Sequence, residues 1–233
     1  MEPILKFEIS RDELFCLAAH CGYNHLINIP YEENESREEL DEKFKTISSG
    51  FREKKWLSED FDGNIEVDTL LAAAMLLVAQ ADILWTVQIN TNIRGHKDMA
   101  ANIYKKGSRI FLLEAMTPEK YRAELYDDNN FYTPYILSKY KFPLVKEDAP
   151  SLETDDVVRI AKKKPYFLVN LSRYSFGKDS IVCEDSSICA AFEEEGAYIM
   201  AADESGGCFV PADESDFYKE NERMFAVEVK ENE

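Results

Sequence analysis

The chain has 233 residues, 45% hydrophobic and 12% aromatic, which is the composition of a globular protein and excludes a disordered one. With 45 acidic residues against 27 basic the formal charge is −18, a field that repels a phosphate backbone and argues against nucleic-acid binding. The five cysteines lack paired spacing and point to reduced thiols, not to a disulfide framework.

The elements follow in chain order. ILKFEI, residues 4–9, alternates like a short strand, and Ser10 or Asp12 then caps a helix whose apolar face is Leu14, Phe15, Leu17 and Ala18. Gly22 ends it. After an acidic loop, Ser36 and Glu39 form a capping box, and Leu40, Phe44, Ile47 and Phe51 recur as a helical stripe that should face the core. Gly50 is expected to bend or end that helix. DFDG is a turn, NIEV a short extended piece, and Asp68 the cap of TLLAAAMLLVA. This apolar run is broken by Gln80 and Asp82 and is too short to span a bilayer. The opening MEPILKFEIS has neither a basic n-region nor a cleavage site, so the expected location is the cytoplasm.

From residue 84 the period changes to two. LWTVQIN, MAANIYKK and RIFLLEA read as three consecutive antiparallel strands with a loop protruding over Ile93 to Asp98. Thr117-Pro118 should start a helix running to Tyr126, since Pro fits the first helical position. DDNNFYTPYILSKYKFPLV is aromatic, proline-broken and irregular, and residues 153–164 are helical. YFLVNLSRYS, SIVCE, ICAAFEE, AYIMAAD and GCFVPAD then read as separate short strands, and PADESDFYKENERMF closes the chain as a helix. The class is α+β with a mostly antiparallel sheet.

Three patterns suggest chemistry. SEDFDGNIEVDT places Asp60, Asp62, Gly63 and Ile65 at positions 3, 5, 6 and 8 of a calcium loop. Ser58 and Thr69 stand where the first ligand and the closing bidentate Glu belong, so no calcium is expected and the acids serve the turn. Cys16, His20, Cys21 and His25 have zinc-like residue types, but neighbouring side chains diverge by about 100° on a helix and Gly22 interrupts the set. Buried thiols and a partly exposed imidazole are the expectation. No nucleophile elbow or phosphate-cradling loop is present, and His96 lies in an exposed turn; neither a cofactor, a metal site nor an enzyme is expected. A third set, Ile93, Arg94, His96 and Met99 with Phe131, Tyr132, Tyr135, Tyr140 and Phe142, has two readings. These residues anchor a partner, or they cover the sheet as a satellite core.

The stretches FEISRDELFCLAAHCG, FREKKWLSEDFDGNIEVDTLLAAAMLLVAQADILWTVQI and GAYIMAADESGGCFVPADESDFYKEN, with Pro211, Ala212 and Asp213, resemble the EspG-like chaperones of type VII (ESX) secretion systems, including those of Gram-positive type VIIb toxins. The resemblance implies a single domain over 1–233 with a central antiparallel sheet, flanking helical bundles and pseudo-twofold halves. The halves would be about 1–126 and 151–233, with an irregular connection over 127–150. It implies a cytoplasmic adaptor that binds a helical secreted substrate or toxin, keeps it soluble and targets it for export, in contact with other secretion components and without membrane insertion. The family's substrate-touching loop matches Ile93, Arg94, Gly95 and His96 here. The alternative from a different class is an acidic immunity-type protein that inhibits a toxin by direct binding.

Overall fold

The computed structural model describes residues 2–30, 36–94, 97–127, 149–176, 181–192, 195–203 and 206–226. Five helices and twelve strands lie among them, and the chain separates by compactness into Met1–Leu84 with Asn102–Asp128, and Trp85–Ala101 with Asn129–Glu233. The division falls inside β4 (Ile83–Thr91) and β5 (Met99–Lys106), each of which gives residues to both units.

In the first unit the strand order is β1-β7-β6-β5, with β1 (Leu5–Ser10), β6 (Arg109–Thr117) and β7 (Lys120–Tyr126). β7 runs antiparallel to both neighbours. Ser10 closes β1 and caps α1 (Arg11–His20): its hydroxyl accepts from the Glu13 N–H at 3.1 Å, and the Glu13 carboxylate accepts from the Ser10 N–H at 2.8 Å. Gly22, at φ +83°, turns the chain out of α1. The same reciprocal box, Ser36 with Glu39, opens α2 (Arg37–Glu53).

Gly50 does not end α2: it lies in the last turn, and the helix continues past it to Glu53. A helical glycine costs only about 1 kcal/mol. Phe51, fully buried and packed 5.2 Å from the Trp56 ring, offsets that cost and holds the last turn. The stripe above it is also corrected: Phe51 is buried, but Leu40 and Ile47 are half-buried and Phe44 is 38% exposed.

β2 (Leu57–Glu59) and β3 (Ile65–Val67) form a hairpin whose turn is organised by Asp60. Its carboxylate accepts from the Asp62 and Asn64 N–H groups, each at 2.8 Å, and from the Asn64 side-chain amide at 2.9 Å. Asp68 then caps α3 (Thr69–Gln80), accepting from Leu70 and Leu71 N–H at 3.0 and 3.2 Å. α3 buries Leu71, Met75, Leu77 and Val78, and packs against β6.

The helix expected from Thr117-Pro118 to Tyr126 is instead strand β7. Thr117 pairs with Lys120, leaving Pro118-Glu119 as a two-residue hairpin loop. The fixed φ of proline suits both a first helical position and a turn. What decides is that β7 lies between two strands, which satisfy its backbone on both edges.

In the second unit the order is β4-β9-β10-β11-β12-β8, with β8 (Leu152–Glu153), β9 (Tyr166–Phe176), β10 (Ile181–Phe192), β11 (Gly196–Asp203) and β12 (Gly206–Pro211). SIVCE and ICAAFEE do not hold two separate strands: β10 continues without a break from Ile181 to Phe192, and its register against β9 shifts between Cys183 and Asp185. Glu184 is the bulged residue, and the polar Asp185, Ser186 and Ser187 pair in regular register with Arg173, Ser172 and Leu171. β11 pairs with β10 only over Cys189–Phe192. α4 (Thr154–Ala161) places Val157 in a cluster with Ala190, Phe192, Tyr198 and Phe209. α5 (Glu214–Phe225), capped by Asp213, packs on β9 and β10 and buries Phe217, Met224 and Phe225. The Trp85 indole N–H donates to the Met224 carbonyl at 2.9 Å, and its ring lies 5.3 Å from that of Phe225.

Trp85 is fully buried. Trp85→Phe keeps an aromatic ring but removes the donor to Met224, and is expected to cost about 1–3 kcal/mol. The measurement is a lowered urea midpoint with an unchanged slope.

Candidate protein-binding site

The strongest candidate for recognition is the loop between β4 and β5 in the second unit. Its base is fixed by short polar side chains that continue hydrogen bonding where the ladder stops. The Thr91 N–H donates to Asp98 Oδ1 at 2.9 Å, which closes the loop across its neck. The Thr91 hydroxyl donates to the Tyr166 carbonyl at 2.8 Å and accepts from the Ile93 N–H at 3.1 Å. Asn92 Oδ1 accepts from the Tyr166 N–H at 2.7 Å. The start of β9 is therefore strapped to the end of β4, and Lys164 just before it pairs with Glu195.

On this base Ile93 is half-buried, Arg94 exposed and Met99 half-buried. Gly95, His96, Phe131, Tyr132, Tyr135, Tyr140 and Phe142 lie outside the described residues. Thr91, Asn92 and Asp98 were not singled out from the sequence. Their signal is a cluster of Asx and Thr residues at the two ends of a loop, the residue types that cap frayed backbone.

The Cys and His cluster sits in the first unit, where α1 crosses α2. Cys16 is buried with its Sγ 3.6 Å from Ser48 Oγ. His20 Nε2 is 2.8 Å from the same hydroxyl, and its ring lies 4.8 Å from that of Phe44. Burial, with a smaller contribution from the Arg52 charge, holds the His20 imidazole below its ordinary value. Burial pushes the Cys21 thiol up to about 11. His25 is exposed and touches Asn24 at 3.1 Å. Among the described residues no group of three or more His, Cys, Asp or Glu side chains is placed to hold a metal ion. The Ser48 hydroxyl, which donates to the Phe44 carbonyl at 2.7 Å, joins the two helices.

Beside this junction lies a cavity of about 480 Å³, walled by Phe15 and Ala19 of α1 and by Leu40, Phe44 and Ile47 of α2, with Leu26 and Ile29 also lining it. The segment carrying those last two is held by hydrogen bonds from Ile27 N–H to the Val78 carbonyl at 3.0 Å and from the Tyr104 hydroxyl to the Ile27 carbonyl at 2.8 Å.

No family model matches the sequence, and no curated protein does. Among solved structures, the chain is similar to the Mycobacterium tuberculosis type VII secretion system chaperone EspG5, determined in complex with a PE25-PPE41 dimer. The TM-score is 0.61 and the identity 11%, over 92% of this chain and 94% of that one. The likeness is one of fold: the resemblance read in the residues is present in the backbone, and the class is α+β with antiparallel sheet.

Two measurements check these local arrangements. Asp98→Ala removes the acceptor across the loop neck and is expected to speed hydrogen exchange at the Thr91 amide about tenfold. For His20 the folded state disfavours the proton, so the unfolded state binds more of it and stability falls as pH drops below 6.5, the ordinary imidazole value. Urea midpoints followed from pH 8 downward should show a loss in that window which His20→Gln lacks.

Proposed function

We propose that this protein is an adaptor chaperone: it binds a helical secreted substrate of a type VII system, keeps it soluble and presents it for export. The observation that carries this reading is the likeness of fold to EspG5 across nearly the whole of both chains. The β4–β5 loop supports it as well, because a firm neck under an apolar Ile93 and a cationic Arg94 lowers the ordering cost of meeting a partner.

The loop segment Ile93–His96, with Met99, receives the client's helical tip; Phe131, Tyr132, Tyr135 and Tyr140 extend the contact. The action is shielding. Each client side chain buried against the loop contributes about 1.5–3 kcal/mol, so a few are enough for micromolar affinity once association costs are met. The acidic surface keeps the chaperone itself soluble. No helix among the described residues is long and apolar enough to cross a membrane, and the work of such an adaptor takes place in the cytoplasm. It makes and breaks no covalent bond.

The test is co-expression with helical secreted substrates of a type VII system. The client is expected to co-elute with the wild type and to be weakened about tenfold or more by Ile93→Asp, the loss of one buried aliphatic. A client that stays soluble and is exported equally without this chain would overturn the reading. If the client is a toxin, its activity should survive in the complex, whereas inhibition would favour an immunity protein.

A further inference from the structure

The α1–α2 cavity has no role in the chaperone reading, which rests on a loop of the other unit. Its residues have the spacing of a helix-receiving seam. Phe15 and Ala19 are four apart on α1, and Leu40, Phe44 and Ile47 are four and three apart on α2, so each set lies on one face of its helix. Those faces are set against each other across an open space, and Phe44 remains 38% exposed. A large aromatic left in water in the middle of an apolar stripe is a surface awaiting cover.

The charge on the rim says what kind of cover. Asp12, Asp41 and Lys43 are the Asp and Lys residues at the cavity. Lys43 lies 2.7 Å from Asp12, so this pair is internally balanced and Asp41 leaves the rim negative. The first turns of α2 carry Glu38, Glu39 and Glu42 together with Arg37 and Lys45, all exposed, and so add one further net negative charge. A second copy of this chain, with formal charge −18, would bring like charge to that rim. A helix carrying lysine or arginine along the borders of an apolar face would not.

We infer that the seam between α1 and α2 is a docking site for a basic amphipathic helix of a partner protein, its apolar side chains entering between Phe15 and Phe44 and its cationic border meeting Asp41. This site is separate from the β4–β5 loop and stands or falls independently of it.

The experiment uses the full chain and two synthetic helical peptides of one length, one of leucine and lysine and one of leucine and glutamate, with affinity read by fluorescence anisotropy. The leucine–lysine helix is expected to bind and the leucine–glutamate helix not to. Phe44→Asp is expected to weaken binding about tenfold or more, although it adds a negative charge that would strengthen any purely electrostatic association. Asp41→Lys, a surface change with no packing role, should weaken the lysine helix and admit the glutamate one. Equal binding to wild type and Phe44→Asp, equal binding of both peptides, or binding of neither would overturn the inference. So would sedimentation showing that the wild type dimerises and Phe44→Asp does not, since a second copy would then fill the seam.

Discussion

The interaction on which this structure depends is the hydrogen bond from a backbone N–H to a short polar side chain at each point where regular structure starts or stops. A strand or helix leaves its terminal donors without partners, and a buried or half-buried donor cannot go unpaired cheaply. Here Ser10, Ser36, Asp68 and Asp213 each close a helix start, and Asp60 organises a hairpin turn. Asp98 draws the neck of the β4–β5 loop together. Part of the acidity of the chain is thus structural, since several of its carboxylates are spent on the backbone.

This explains why the most ligand-like segment behaves as a turn. The oxygens of Asp60, which could have faced a cation, are occupied by Asp62 and Asn64. The same logic separates the two candidate binding surfaces. The β4–β5 loop is presented by polar side chains that hold its base, and the seam between α1 and α2 is an apolar space left between helices pinned by Ser48 and by ion pairs such as Lys54 with Glu13 at 2.8 Å.

Much of the fold was legible because local rules and burial agreed. Capping boxes at Ser36 and caps at Asp68 are written in residues a few positions apart, and the alternation of Trp85, Val87 and Ile89 marks the buried face of β4. Legibility failed where one local preference serves two structures. Pro118 suits a helix start or a hairpin turn, and only the neighbours of β7 choose between them. The DSS in β10 looks like a break because its residues are turn formers, yet Asp185, Ser186 and Ser187 pair in register with Arg173, Ser172 and Leu171, and only Glu184 before them is bulged out. The stripe on α2 was read correctly as a stripe, but a sequence does not say how much of an apolar face finds cover. The anchoring of Asn92 on Tyr166 joins residues far apart in the chain and had no local signature.

The kink in β10 carries one more implication. Past the four residues that β11 covers, Cys189–Phe192, the outer border of β10 from Ile181 to Ser187 meets no strand among the described residues. An unpaired border carrying Ile181 and Val182, both well exposed, would ordinarily template fibril growth. The shifted register bends that border, and Glu184 and Asp185, paired with Arg173 and Arg223, set charged side chains along it, so an incoming extended chain meets a twisted, ionic margin. A bulge and arginine ion pairs are thus what stand between the exposed Ile181 and Val182 and edge-to-edge pairing at this sheet margin.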